Sequence, residues 1–394
     1  MNKWKRIKLG EILSLTSGKS KTKKHLHQFS EQYQVPVYGG NGINGYTDNI
    51  LVNEHVIVIG RVGEYCGSVY LTESVSWVTD NALYTKAVTA GTNLKYLYYL
   101  LKYNNLGRLR SQSGQPLISQ KPIYELEVDF APKEEQQRIV SILSSVDEAI
   151  EKTTAIIQQT EKVKKGLMQQ FLTKGIGHTQ FKKTNIGEIP EKWEVCELNE
   201  VTDVRDGTHD SPKYFPSGIP LVTSKNLKND GLDFSNISFI SESDHTQIEK
   251  RSRVDDGDIL FGMIGTIGNP VIVEKTIDFS IKNVALIKFT KSHISNIFVK
   301  YLLDSDIIQK QFLKGSNGGV QKFIALGTIR KLKIPVPSIQ EQENIVSIIY
   351  SVERKMTIEK EKLLKLLEIK KGLMQSLLTG KIRVKVDEAE VKQA

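Results

Sequence analysis

The chain resembles itself at long range, and this internal repeat constrains its architecture more than any single motif. Lys164-Lys165-Gly166-Leu167-Met168-Gln169 returns as Lys370-Lys371-Gly372-Leu373-Met374-Gln375, and at the same offset Ile139-Val140-Ser141-Ile142 returns as Ile345-Val346-Ser347-Ile348. Weaker echoes extend through both halves. Lys3-Trp4 with Leu9 and Glu11 matches Lys192-Trp193 with Leu198 and Glu200, Val35-Pro36-Val37 matches Ile219-Pro220-Leu221, and Gly60 and Gly63 match Gly262 and Gly265. The offsets drift between these anchors, so insertions and deletions separate the copies in their loops. Two copies of one unit follow, in the order globular, helical, globular, helical.

The helical segments declare themselves by period. After Pro132, apolar residues recur at Ile139, Ile142, Leu143, Val146, Ala149, Ile150, Ile156, Ile157, Val163, Leu167, Phe171 and Leu172, a near-heptad stripe. After Pro335 and Pro337 the second copy places Ile345, Ile348, Ile349, Val352, Met356, Leu363, Leu366, Leu367, Ile369, Leu373 and Leu377 similarly. Each run predicts about 40 helical residues, or roughly 60 Å of rod. Neither can bury its stripe alone. Pairing of the two helices with one another, antiparallel across the intervening domain, explains their matched lengths; homodimerisation through each helix is the alternative. Glu359 and Lys362 stand where the first helix has Thr153 and Ile156, which leaves the mid-helix register open.

The expected architecture is therefore α+β: two similar mixed α/β domains at residues 1–131 and 185–336, separated by two long antiparallel spacer helices at 132–178 and 337–380. Gly175 and Gly177 close the first helix and Gly380 the second, and the charged segment 381–394 reads as a loose tail. Within the domains, Val56-Ile57-Val58-Ile59 and Ile259-Leu260-Phe261 read as strands entering glycine turns, and 97–101 and 297–303 as helices.

A chain of 394 residues has material for two such cores. No run approaches the roughly 18 to 20 apolar residues of a membrane helix, and the N-terminus does not read as a secretory signal. Cys66 and Cys196 are too few and too far apart for a disulfide framework or a zinc site, which points to a cytoplasmic location. The net charge is +9, and Lys3, Lys5, Arg6, Lys8, Lys19, Lys21, Lys23 and Lys24 crowd a stretch whose only acid is Glu11. Such a strip suits either DNA phosphates or plain solvent.

The equipment of a self-sufficient DNA enzyme is not visible. There is no glycine-rich cofactor loop joined to an Asn/Asp-Pro-Pro-aromatic element, and Phe261-Gly262-Met263-Ile264-Gly265 reads as a turn because the other half echoes it. Gly18-Lys19-Ser20 lacks the first glycine of a phosphate-binding loop. Asp258 with Glu274-Lys275 makes a poor nuclease site, and His25 and His27 read as surface residues rather than metal ligands. What remains are polar, glycine-rich loops able to approach a groove. The first unit offers Tyr38, Asn41, Asn44 and Arg61; the second offers Arg205, Thr208, His209, Lys213, Tyr214, Thr223, Ser224, Lys225 and Asn226. A polar segment late in each unit adds Gln115, Asn317 and Gln321. Solvent turns are the plain reading of the same loops.

Jointly, several stretches resemble the specificity subunits of type I restriction-modification enzymes over nearly the whole chain. They are 35–46, 60–67, 79–83, 206–226, the Ile334-Pro335-Val336-Pro337 segment leading to Glu341-Gln342, Pro132 leading to Glu135-Gln136, and the two repeated hexapeptides. The resemblance implies two target-recognition domains reading a bipartite double-stranded DNA site, with the helices as spacer. A rod of roughly 60 Å exceeds one DNA turn of about 34 to 36 Å. It further implies two docked modification subunits that methylate adenine at N6 with S-adenosylmethionine, and restriction subunits that use ATP and magnesium, so that no cofactor, metal or catalytic residue belongs to this chain. On this reading Lys19, Lys21, Lys23 and Lys24 contact phosphates, and the loop residues named above contact bases. A bacterial or archaeal cytoplasm follows, without a membrane partner. An adaptor built on its long helices, and a DNA-modifying enzyme of unfamiliar design, are the rivals.

Overall fold

Short, partly β-branched apolar runs ending in glycine make central strands such as Ile57–Gly60 and Ile259–Gly262, and the two near-heptad stripes make the longest helices. A computed structural model describes residues 3–111, 114, 116–228, 231–290, 293–315 and 323–385. These divide into two units, one within 1–155 and 360–394, the other within 156–359. Each unit therefore holds one globular domain and a portion of both long helices.

The first domain begins with strands β1 (Lys5–Lys8), β2 (Leu13–Ser17), β3 (Val35–Gly39) and β4 (Gly42–Thr47). Then come β5 (Ile57–Gly60), β6 (Val69–Leu71), β7 (Trp77–Val78), β8 (Ala82–Val88), α1 (Leu94–Tyr103), α2 (Gln120–Tyr124) and β9 (Glu127–Phe130). Helix α3 runs from Lys133 to Lys174. The second domain follows with β10 (Phe181–Thr184), β11 (Gly187–Pro190), β12 (Glu194–Glu197), α4 (Leu198–Val201), β13 (Asp203–Asp206) and β14 (Ile219–Val222). It continues through β15 (Leu227–Lys228), β16 (Gly231–Leu232), β17 (Ser238–Ile240), α5 (Glu242–Ser252), β18 (Ile259–Gly262) and β19 (Gly268–Ile272). It closes with β20 (Ser280–Ile281), β21 (Val284–Lys288), α6 (Asn296–Leu303), α7 (Asp306–Gly315), α8 (Leu326–Arg330) and β22 (Lys333–Val336), before α9 (Ile339–Leu377).

The repeat holds at the level of topology. A four-stranded antiparallel sheet ordered β2-β8-β5-β6 in the first domain has its counterpart in β13-β21-β18-β19. A three-stranded sheet ordered β4-β3-β7, with β3 and β7 parallel, matches β17-β14-β20, and the pair β1-β9 matches β12-β22. The segment 39–46, read from its glycines as a loop, is a β-hairpin whose turn sits at Gly40-Asn41. The ring of Tyr70 lies 3.2 Å from where a Cβ on Gly42 would be, and the φ of Gly42 is +95°, so glycine serves the hairpin here rather than breaking it.

In each unit the helix segments share the domain's core. Ile139 and Leu143 of α3 are buried with Leu377, Leu378 and the α1 residues Leu97, Leu100 and Leu101. In the second unit Leu172 is buried with Ile345, Ile349, Trp193 and Phe298. The pairing order makes the helix segments antiparallel within each unit: Asp147 meets Lys370 while Glu135 meets Arg383, and Lys164 meets Glu353 while His178 meets Glu341. The stripes are not buried throughout. Ile156 and Val163 in the second unit, and Leu367 and Ile369 in the first, are exposed, whereas Thr153 and Thr160 of α3 are buried.

The Glu-Gln pairs that open the two helices hold the domains onto them. Gln136 is buried, accepts from the Asn93 backbone N–H at 2.8 Å and donates to the Ala131 carbonyl at 2.8 Å; Gln342 does the same with Ser295 (2.8 Å) and Pro337 (3.0 Å). The Trp4 indole N–H donates to Glu135 at 3.1 Å, and that of Trp193 to Glu341 at 2.9 Å. Arg383 also grips Glu135, and His178 bonds Glu341 at 2.8 Å. Burial alone would raise the Glu135 carboxyl, but the bonds from Arg383 and Trp4 outweigh it and hold the group below its ordinary value of 4.5. A depressed folded pKa contributes stability that is present above the unfolded value and lost as the pH falls through the folded one. The stability gap between the unaltered chain and Glu135→Gln, read by circular-dichroism melts, should accordingly close as the pH drops below 4.5. A gap independent of pH would show that charge plays no part.

Candidate nucleic-acid interface

Both domains launch a long polar loop from the same backbone anchor. At the end of β2, the N–H of Gly18 donates to the Ala82 carbonyl at 3.2 Å and that of Lys19 to Val78 at 2.9 Å. At the end of β13, Gly207 donates to Val284 at 3.0 Å and Thr208 to Ile281 at 3.0 Å. A Cβ on Gly18 would lie 2.3 Å from the Val78 and Thr79 carbonyl oxygens, and one on Gly207 2.2 Å from that of Ile281, so only glycine lets the loop sit on the neighbouring strand. A second anchor repeats as well: the Ile118 N–H donates to the Arg61 carbonyl at 2.9 Å, and that of Ile324 to Met263 at 2.9 Å.

In the first domain, the loop after Gly18 carries the second half of the basic strip, Lys19, Lys21, Lys23 and Lys24. Lys19, Lys23 and Lys24 are exposed. Lys21 is held differently: its ammonium lies 4.0 Å over the Trp77 ring and donates to Asn49 at 3.0 Å, and burial draws its pKa down. The loop is tied to the hairpin through paired backbone bonds between His27 and Tyr46 at 2.9 Å. His27 stacks on Tyr33 with centroids 3.7 Å apart, and Phe29 meets Tyr46 edge-on at 5.3 Å while remaining 67% exposed. Asn41 and Asn44 are exposed on the hairpin. Arg61 donates to Ser17 Oγ at 2.9 Å, and its buried Nε has no partner among the described residues.

In the second domain, the loop after Gly207 is organised by a buried carboxylate. Asp206 receives the guanidinium of Arg251 and lies 2.7 Å from His209 Nε2, while His209 Nδ1 meets Asn283 Oδ1 at 2.9 Å. With an oxygen acceptor at each ring nitrogen, imidazolium is the form that satisfies both. The bonds to Asn283 and then Asp206 raise the His209 pKa above its ordinary 6.5. An NMR titration should find its midpoint above 6.5, and Asn283→Ala should lower that midpoint; an ordinary midpoint in the unaltered chain would mean that the two acceptors are not engaged in solution. Thr208 accepts from the Asp210 N–H at 3.2 Å. Lys213 lies 5.6 Å over Phe215, and Tyr214 is 52% exposed beside Lys282, which donates to Ser211 at 2.7 Å.

Several residues expected at a base edge are otherwise engaged. Tyr38 and Ser224 are buried at 5% exposure, and Asn226 at 6%. Asn226 accepts from the N–H and hydroxyl of Thr223, both at 3.0 Å, and donates to the Asp233 carbonyl at 2.9 Å, so it closes its own turn instead of facing a ligand. Arg205 is pinned to Asp203 at 2.6 Å and to the Arg251 carbonyl at 3.2 Å. Lys225 is exposed. Gln115, Asn317 and Gln321 lie outside the described residues. Lys282 and Asn283 escaped the sequence reading, although Lys282-Asn283-Val284-Ala285 is the counterpart of Asp80-Asn81-Ala82-Leu83 and an alignment of the two copies on that pattern would have found them.

Among the described residues no group of three or more His, Cys, Asp or Glu residues is placed to hold a metal, and no helix is long and apolar enough to cross a membrane. The family model described as "Type I restriction modification DNA specificity domain" matches residues 1–162 and 190–368. The chain is similar to the type I restriction enzyme MjaVIII specificity subunit of Methanocaldococcus jannaschii, with 27% identity over 97% of this chain and 93% of that one. It is also similar to the EcoBI specificity subunit of Escherichia coli, with 21% identity over 87% and 78% of the two chains. Its fold resembles the crystal structure of a type I restriction-modification S subunit from M. genitalium, with a TM-score of 0.60 and 17% identity, over 95% of this chain and 96% of that one.

Proposed function

The chain belongs to the type I restriction modification DNA specificity family, and on that footing we propose how its two domains divide the reading of DNA. It is a specificity subunit, the part of a type I restriction-modification system that recognises the target, and not an enzyme by itself. Each domain reads one half of a bipartite double-stranded site. The first uses the loop after Gly18 and the hairpin 39–46, with Arg61 beneath them; the second uses the loop from Thr208 to Tyr214 with Lys225. Exposed lysines set the register on phosphates, and the polar loop residues meet base edges. The observation that carries this reading is the repeated anchoring of the two loops, by Gly18 on Ala82 and Gly207 on Val284.

Two modification subunits dock on the helices, and two restriction subunits complete the enzyme where they are encoded. The apolar side chains left exposed along α3 and α9 support docking there. S-adenosylmethionine, ATP and magnesium then bind those partners, in a bacterial or archaeal cytoplasm. The test is single-molecule sequencing of adenine methylation in cells expressing the chain with its modification subunit, against cells with the modification subunit alone. A new motif of two defined blocks around a fixed unspecified gap is expected. Exchange of residues 1–131 for another recognition domain should alter one block only. No new motif from an assembled, cofactor-loaded complex would favour an adaptor instead.

A further inference from the structure

The repeated hexapeptide has a place in the structure that contact with DNA does not explain. In the first unit Lys370 of α9 pairs with Asp147 of α3, and the other oxygen of Asp147 accepts from the hydroxyl of Tyr99 on α1 at 2.7 Å. In the second unit Lys164 of α3 lies 2.6 Å from Glu353 of α9, whose other oxygen accepts from the hydroxyl of Tyr301 on α6 at 2.7 Å. The order lysine, carboxylate, tyrosine is the same, with the two long helices exchanging roles. Each repeat's lysine thus fastens the domain of the other repeat. Both tyrosines are fully buried in their domain's core. Burial first, and then the facing carboxylate, keep both phenols protonated and donating.

Apolar packing between a domain and a helix pair is non-directional, and it tolerates rotation or a slip along the helices. A hydrogen bond and an ion pair meeting on one carboxylate tolerate neither. A slip of one helical turn moves a side chain about 5.4 Å, more than the rise of one base pair, about 3.4 Å. We propose that Lys370–Asp147–Tyr99 and Lys164–Glu353–Tyr301 are positioning devices that fix each recognition domain on the helices and thereby hold the gap between the half-sites to one length. This rests on the reading that each domain recognises one half-site.

The experiment methylates a plasmid library in which the native gap is kept, lengthened or shortened by one base pair, in cells carrying the modification subunit. The unaltered chain should confine methylation to the native gap. Lys164→Met with Lys370→Met should keep both half-site sequences yet raise methylation at altered gaps relative to the native one by about tenfold, the scale of removing one charged hydrogen bond. Tyr99→Phe with Tyr301→Phe, which removes only two oxygen atoms, is read in the same way should the lysine variant fail to accumulate. Lys164→Arg with Lys370→Arg, which keeps a cation and its donors facing each carboxylate, should stay confined to the native gap. Variants that fold, keep the half-sites and remain confined to the native gap would overturn the proposal. Absence of any bipartite motif from the unaltered chain would instead overturn the half-site reading, and this inference with it.

Discussion

Replacing Trp193 with alanine should lower the stability of the second unit by about 3–5 kcal/mol, the usual consequence of removing a large aromatic from a close-packed core. Trp193 is 1% exposed and is buried with residues from both helix segments, Leu172 of α3 and Ile345 of α9. Its ring also closes the exit of α3, where a Cβ on Gly175 would come within 2.7 Å of it. The cavity is only part of the effect. The rest is Glu341, 15% exposed, which among the described residues would keep only His178 and the Ile176 N–H as partners of its side chain. Trp193→Phe separates the two: most of the ring volume stays, the indole donor goes, and stability should fall by about 1.5–3 kcal/mol through the missing charged hydrogen bond and the remaining volume deficit. Urea unfolding of the three proteins measures both steps. A loss below about 1 kcal/mol for the alanine variant would mean that the site collapses around the gap.

This tryptophan was visible in the sequence, but its role was not. Trp4 and Trp193 stood out as matching landmarks, and Glu135 and Glu341 as matching residues after a proline, but nothing in either pattern joins a tryptophan to a glutamate far along the chain. The same holds for the hexapeptide. Its identity in both halves exposed the duplication, while its carboxylate partners, Asp147 and Glu353, differ in type and lie on the opposite helix. Periodicity located the helices because an apolar stripe must be buried; it could not say how far burial extends, and Leu367 and Ile369 are exposed although the stripe was read through them. Composition misled at 39–46, where glycine signified tight strand packing under Tyr70 rather than a loop. Loop polarity misled at Asn226 as well, because Asn first satisfies nearby backbone groups and reaches a ligand only with what is left.

Side chains in the basic loop divide in the same way between internal partners and solvent. Of its four lysines, Lys21 is already committed to Trp77 and Asn49, whereas Lys19, Lys23 and Lys24 are exposed. Neutralising the latter three should therefore weaken binding to all duplexes alike, by about 10- to 100-fold at moderate salt. It should also flatten the dependence of log affinity on log salt by about 0.9 for each phosphate no longer neutralised, or about 2.7 if each lysine holds one. Lys21→Ala should act differently: it uncovers Trp77 and frees the loop, so affinity should fall with little change in salt slope. Base preference should survive both changes, since phosphate contacts position the protein and carry no sequence information directly. Fluorescence anisotropy with specific and scrambled duplexes across a salt series distinguishes these outcomes. A salt slope unchanged in the triple variant would move the DNA surface of the first domain away from this loop, to the hairpin and Arg61.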